Sequence, residues 1–368
     1  MENKKIGLIT WHYYDNVGSN LQAYAIYKTI SDNGGDCKFI NYRKKEFDDN
    51  IVKKYIKIFC SFLNKIGIID DLSNYSFKSR QFQKKYFKMT PKCNNYNIKK
   101  YSDKFDIFIC GSDQIWAPSV FDENYLLSFT CSKNKFSYAA SLGLNNIPLK
   151  LQYKYKKLLL DFKKISVREK KGYDLLKKIG INSKVVLDPT FLLEKKQWMD
   201  ISNKKIIKDN DKYIFCYLIG KNDKQLEFIK KYSDIIKTRL IIYSPVNDIS
   251  DYNFKNVLKK LGPEEFISYI ANAEHIFTDS YHGCIFSIIF EKKFNVFLRF
   301  NDENDINSQN SRIYNLLDLL SIEKFLIKDY DDINIDENYN YQEIMLKLEK
   351  YKKESFEFLN SILEVCNE

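Results

Sequence analysis

Apolar residues along the chain fall in short runs of five to eight residues, separated by stretches in which they recur at helical spacing. Runs of the first kind read as buried strands and stretches of the second kind as helices packed on them. Strands are expected at 6–11, 37–41, 105–110, 136–140, 164–167 and 184–187, with helical patterns between most of them. After Glu194-Lys195-Lys196-Gln197 the alternation restarts, giving strands at 213–219, 239–243, 275–278 and 295–298. Helices are expected at 224–232, 263–272, 282–290 and 312–320, and a long charged helix over 340–368. Two successive βα series predict an α/β protein with two Rossmann-like domains facing a cleft, a glycosyltransferase-B-like architecture. The expected domains are 1–195, on the acceptor side of the cleft, and 196–335, on the donor side. The helix of 336–368 either returns to the first domain or lies on the surface. Residues 51–68 pattern as a basic amphipathic helix, one that either packs on its own domain or rests on an anionic membrane.

In such sheets, ligands bind beyond the carboxyl ends of the strands. The sharpest junction is Thr278-Asp279-Ser280-Tyr281-His282-Gly283, where an apolar strand turns into an apolar helix. Asp279 or Ser280 can cap that helix, which places His282 in its first turn, where unpaired backbone N–H groups and the helix dipole favour an anion. His282 is then either a proton carrier or anion donor, or a packing residue. The chain has only three histidines, His12, His275 and His282. Four other segments share that position: Asp15-Asn16-Val17-Gly18-Ser19-Asn20-Leu21-Gln22, Gly111-Ser112-Asp113-Gln114-Ile115-Trp116, Ser166-Val167-Arg168-Glu169 and Asp188-Pro189-Thr190. Asp113 reads as a general base or a helix cap, and Trp116 as a face for sugar stacking or a core residue. Arg168 beside Glu169 reads as an anion clamp or a local ion pair. The first of these segments lacks the spacing of a dinucleotide or P-loop fingerprint, which argues against an ATP or dinucleotide site there.

Composition adjusts this picture only slightly. The net charge is +11, yet only six of the 59 basic residues are arginines (Arg43, Arg80, Arg168, Arg239, Arg299, Arg312). Scattered lysines without a recognised motif argue against nucleic-acid binding. Scarce arginine directs attention to each one near a strand end, because lysine cannot reproduce its bidentate fork. The eight cysteines contain no CxxC pair and lie partly within apolar strands, which predicts buried free thiols rather than a zinc site or disulfide framework. The first residues do not form a signal-peptide core and no apolar run reaches about 18 residues, so a cytoplasmic protein is expected.

Taken in order, these segments, together with Tyr138-Ala139-Ala140-Ser141 and Asn310-Ser311-Arg312-Ile313, resemble the polysaccharide pyruvyl transferases over residues ~5–325. Members of that family move pyruvate from phosphoenolpyruvate onto a sugar as a cyclic ketal during capsule, exopolysaccharide or cell-wall assembly. The resemblance implies Arg168 and His282 at the reacting centre, and the chemistry of ketal formation adds a carboxylate such as Asp113 as base for the incoming hydroxyl. It implies a donor site with Ser280, Tyr281 and Gly283, and no metal or organic cofactor. Some branches carry arginine and leucine where this chain has Ser280 and Tyr281, and Arg299 or Arg312 then stands in as the donor-binding guanidinium. Asn16, Ser19, Gln22 and Trp116 are the candidate acceptor-binding residues. The acceptor is a sugar nucleotide or a lipid-linked oligosaccharide, the latter with peripheral contact at the inner membrane face. A nucleotide-sugar-dependent glycosyltransferase of the same architecture and a non-catalytic carbohydrate-binding relative are the competing readings.

Overall fold

The computed structural model describes residues 4–13, 15–44, 73–143, 146–206, 212–247, 249, 252, 254–300, 308–331, 333 and 338–365. The amphipathic pattern at 51–68 lies outside the described residues.

Two parallel sheets organise the chain. The first contains β1 (Lys5–Ile9), β2 (Asp36–Phe39), β3 (Ile107–Cys110) and β4 (Lys135–Ser137) in the order β2-β1-β3-β4. The two-stranded pair β5 (Ser166–Val167) and β6 (Lys184–Val185) joins it through the bridges Phe136↔Lys164 and Ala140↔Val167. The second sheet contains β7 (Tyr213–Tyr217), β8 (Arg239–Tyr243), β9 (Val257–Leu258), β10 (His275–Thr278) and β11 (Lys293–Val296), ordered β11-β10-β7-β8-β9. Strands covered by helices on both faces lose polar alternation, and β3, β7 and β10 are buried at every position.

The helices that matter below are α1 (Val17–Asp32), α2 (Ser73–Tyr86), α3 (Leu149–Leu159), α4 (Lys170–Lys178), α5 (Lys195–Asp200), α6 (Asp223–Ile236), α7 (Pro263–Asn272), α8 (Tyr281–Ile289), α9 (Ser311–Leu320) and α10 (Tyr341–Glu364). None of the described helices is long and apolar enough to cross a membrane. Expected and observed elements agree residue for residue at β8, α7 and β10. Strand β1 stops two residues short of its expected end. Beyond Ile9 the chain leaves the ladder, as Thr10 donates its hydroxyl to the Ser112 carbonyl (3.0 Å) and Gln22 donates to the Trp11 carbonyl (3.0 Å).

One apolar cluster takes in Ile6, Leu8 and Ile109 of the first sheet and Phe215 and Ile276 of the second. Trp198 of α5 is its bridge: the indole lies 5.7 Å from the ring of Tyr24 in α1 and 4.9 Å, edge-on, from Phe286 in α8. Helix α10 touches both halves. Its first residue, Tyr341, donates to the Lys292 carbonyl beside β11; farther along, Ser355 accepts from the Leu187 amide (2.9 Å), and the Ser361 carbonyl accepts from Lys164 (2.9 Å). Cys37, Cys93, Cys110, Cys216 and Cys284 are free and buried, and Cys131 is free and exposed.

Candidate active site

Helix α8 begins as its sequence dictates. Ser280 is the cap, its hydroxyl accepting from the Gly283 amide at 3.4 Å. Asp279, the other expected cap, serves the neighbouring strand instead: its carboxylate accepts from the amides of Ile219 (2.7 Å) and Gly220 (2.6 Å) where the chain leaves β7. Gly283 is a packing requirement, since a Cβ there would stand 2.2 Å from the Thr278 hydroxyl oxygen.

The three histidines separate cleanly. His12 is fully buried, with Nδ1 against the Thr10 carbonyl (3.0 Å) and Nε2 against Asn41 (3.3 Å), and burial pushes its pKa down. His275 is fixed by Asn295 at 2.9 Å. His282 points Nε2 at the Asp188 carboxylate, 3.7 Å away, too long for a hydrogen bond and within ion-pair distance when the imidazole is protonated. Its other edge meets α1: a Cβ on Gly18 would lie 2.3 Å from Nδ1.

Asp188 holds the centre together. Its Oδ2 accepts from Arg168 Nη1 (2.7 Å) and from the Ser112 hydroxyl (3.3 Å), while Oδ1 accepts from the amide (3.0 Å) and hydroxyl (2.6 Å) of Thr190. Burial opposes its ionisation, yet His282 and the Arg168 guanidinium outweigh this and hold the carboxyl well below the ordinary carboxylate range. Sequence reasoning singled out the Asp188-Pro189-Thr190 segment and gave Asp188 no role. Its signal was position, a carboxylate directly after β6.

Arg168 lies one layer behind the cleft, with 1% of its side chain exposed. It faces Asp188, then Asp113 (4.0 Å) and Glu169 (3.9 Å), and stacks over the Tyr281 ring at 4.6 Å. Burial alone would lower its pKa, but Tyr281, Asp188, Asp113 and Glu169 together raise it. Of the two sequence readings of this residue, the arrangement corresponds to the ion pair, and the guanidinium also stacks on Tyr281 of the second half. Glu169 is taken up locally, accepting from the Ser141 hydroxyl (2.9 Å) and the Leu142 amide (3.0 Å).

In front of this cluster opens a cavity of about 580 Å³. Trp11, Asn16, Ser19 and Asp113 line it from the first half, and Tyr217, Ser280, Tyr281, His282, Arg299 and Arg312 from the second. Asn16 caps α1, accepting from the Ser19 amide (3.2 Å), and the Ser19 hydroxyl donates to Asp113 Oδ2 (2.5 Å). Asp113 has φ 67°, in the left-handed region that asparagine and aspartate tolerate, and its Oδ1 accepts from the Gln114 amide (2.9 Å).

Two expected acceptor residues lie elsewhere. Trp116 is in the core, its indole N–H donating to the Tyr125 carbonyl (2.9 Å) and its ring edge-on to Phe162. Gln22 is fully buried and donates to Thr10, Trp11 and Ser19, so it braces the loop behind the cavity. Trp11, which the sequence pattern places at the end of a strand, lines the cavity wall together with Tyr217 and Tyr281.

Arg299 is held by Asp279, with Nε 3.6 Å from Oδ2 and Nη2 donating to the backbone carbonyl (3.2 Å). Arg312 also lies over the Tyr281 ring, 5.8 Å from its centre. Its Nη2 donates to Gln309 Oε1 (2.5 Å), and with the Gln114 amide turned, the Gln114 oxygen accepts from both of its terminal nitrogens at 3.0 Å. Among the described residues no carboxylate comes within ion-pair distance of it. Burial and the nearby charges of Arg168 and Arg299 bring its pKa down to about 10.

A family model for polysaccharide pyruvyl transferase matches residues 16–301. The chain belongs to this family. The fold agrees with a structure of the wall teichoic acid polymerase TagF (H444N variant), at TM-score 0.50 and 10% identity over 99% of this chain and 88% of that one. A UDP-N-acetylglucosamine 2-epimerase from Rickettsia bellii superposes at TM-score 0.48 with 10% identity, covering 99% of this chain and 97% of that one. Ribonuclease R from Buchnera aphidicola subsp. Schizaphis graminum is 29% identical over 136 residues, which is 36% of this family member and 18% of that enzyme.

Proposed function

We propose that this pyruvyl transferase family member moves pyruvate from phosphoenolpyruvate onto two hydroxyls of a sugar in a polysaccharide precursor, closing a cyclic ketal. The observation that carries the reading is Arg312, a cavity-lining guanidinium that has no carboxylate within ion-pair distance among the described residues and whose pKa burial, Arg168 and Arg299 bring down to about 10. Such a group is completed by an anionic ligand. A donor with a carboxylate and a phosphate suits Arg312 and Arg299 together.

In this reading His282 is the general acid, and Asp188 stabilises its imidazolium from behind. A proton goes to the vinyl C3 while a sugar hydroxyl bonds to C2. Loss of the C2–O bond releases phosphate, and a second hydroxyl closes the ring. One hydroxyl proton balances the proton at C3, and the other leaves with phosphate. Asp113 is the cavity carboxylate that takes a hydroxyl proton. Arg168 acts through Asp188 and Tyr281 as a positioning residue, and Trp11 offers the sugar its apolar face. The reaction so written uses side chains alone, without metal or organic cofactor. The acceptor is a sugar nucleotide or a lipid-linked oligosaccharide, and a phosphoenolpyruvate donor sets the reaction in the cytoplasm.

The test is incubation with phosphoenolpyruvate and a panel of hexose and N-acetylhexosamine acceptors. Phosphate release and the mass gain of a ketal-linked pyruvate are expected together, and both should vanish in His282→Ala. Thermal stabilisation by nucleoside diphosphates but not by phosphoenolpyruvate, with no donor-dependent turnover, would replace this reading with a nucleotide-sugar glycosyltransferase.

A further inference from the structure

Large apolar side chains exposed to water gather on helix α3. Leu149 is 84% exposed, Tyr153 74% and Leu160, just past the helix end, 64%. Their spacing of four and seven residues puts all three on one face. The opposite side is anchored, with Tyr155 and Leu159 buried and the Tyr155 hydroxyl donating to the Trp116 carbonyl at 2.7 Å. The outward face is therefore not a packing remnant of a loose helix.

Its polar complement is cationic. Lys150, Lys154, Lys156 and Lys157 are exposed on the same helix, which has no acidic residue. Lys156 lies over Gly180, its Nζ 3.4 Å from where a Cβ would be, so the surface continues into the end of α4, where Lys177 and Lys178 are exposed. Of the four helix lysines, Lys154 has a carboxylate partner, Glu123 at 3.3 Å.

We propose that this face of α3 docks the protein on an anionic lipid bilayer. Apolar side chains that enter the headgroup boundary, ringed by lysines whose stems run along the apolar surface, are the chemistry of an interfacial helix. Negative lipid headgroups complement the lysine ring. An RNA partner would use the lysines but leave Leu149 and Leu160 without a role. On its anchored side the helix connects to the active-site cavity: Phe121 packs on Tyr155 at 5.1 Å, and its neighbour Val120, 48% exposed, lines the cavity wall. The inference stands on the helix surface alone and holds whatever donor the cavity takes.

The full-length protein should float with phosphatidylcholine vesicles containing phosphatidylglycerol, fail to float with phosphatidylcholine alone, and be released by high salt. The triple variant Leu149→Ser, Tyr153→Ser, Leu160→Ser should lose about tenfold or more of its partitioning with an unchanged melting temperature. Lys156→Glu with Lys157→Glu should abolish the preference for anionic vesicles, and it decides the matter if the triple variant melts early. Absence of flotation by the parent protein, or flotation that survives both variants, would overturn the proposal. So would release by an RNA oligonucleotide together with unchanged behaviour of the triple variant, which would assign the lysines to nucleic acid.

Discussion

Arg168 and Arg312 lie over the same tyrosine ring, yet their surroundings differ. Arg168, from the first half, is enclosed by three carboxylates, Asp188, Asp113 and Glu169, at 2.7, 4.0 and 3.9 Å. Arg312, from the second half, has amide oxygens for company and no carboxylate within ion-pair distance among the described residues, and burial with the charges of Arg168 and Arg299 outweighs the pull of Glu169 and Asp113. One guanidinium has its counter-charge built in and belongs to the framework. The other is held on the cavity wall at an electrostatic cost, which a bound anion would offset. Rarity in the sequence marks both residues equally; only the location of the carboxylates tells them apart.

The comparison is broken most severely by removing the built-in counter-charge. Asp188→Asn should cost about 3–5 kcal/mol of folding stability, because it leaves Arg168 buried with its nearest anion gone. Chemical denaturation at neutral pH measures this. The pH dependence carries a sign that checks the cause. The folded-state pKa of Asp188 lies below its ordinary value of about 3.9, so the carboxylate stabilises the fold in full above that value and loses the contribution as pH falls toward the lower one. The parent protein should therefore weaken steeply in acid while Asp188→Asn, already weak, should show a flatter acid limb. An unchanged acid limb would mean that Arg168 is balanced elsewhere.

How much of this could be read in advance depended on distance along the chain. The β10–α8 junction was legible because strand, cap and helix are consecutive, and His282 followed from the cap. Of the partners of Arg168 its neighbour Glu169 was legible, whereas Asp188 and Asp113 were not, since they reach it only through the β5–β6 pair and the turn after β3. A residue after a strand end looks alike whether it faces the cleft or the core. Trp116 and Gln22 turned inward for that reason, and Trp11 turned outward because β1 ends at Ile9. The parallel sheets were visible as apolar runs, whereas strand ends were set by bonds such as Thr10 to Ser112, between residues about a hundred positions apart.

A smaller disturbance tests whether the two halves position the imidazole jointly. Gly18, in the first turn of α1, leaves room for His282 of α8, and Gly18→Ala would put a methyl carbon 2.3 Å from Nδ1. The ring must move away from Asp188 or α1 must shift. The expected cost is about 1–3 kcal/mol in stability and about 100-fold in turnover, since displacement of a catalytic group by an ångström is expensive. A drop in stability with turnover intact would show that His282 does not act from this position.

The gentlest change is the most discriminating. Arg312→Met removes the guanidinium that lacks a counter-charge and keeps an apolar stem against Tyr281. The pKa of this base is lowered in the folded state, so at neutral pH its charge opposes folding, and its loss should leave stability within about 1 kcal/mol of the parent or slightly above it. Binding should respond in the other direction. Phosphoenolpyruvate or phosphate, added in increasing amounts, should raise the melting temperature of the parent and of a framework variant such as Lys170→Ala, but not that of Arg312→Met. If Arg312→Met instead unfolds as Asp188→Asn does, and keeps its anion response, then both arginines are framework. The donor would then have to be held by Arg299 and the first turn of α8 without help from Arg312.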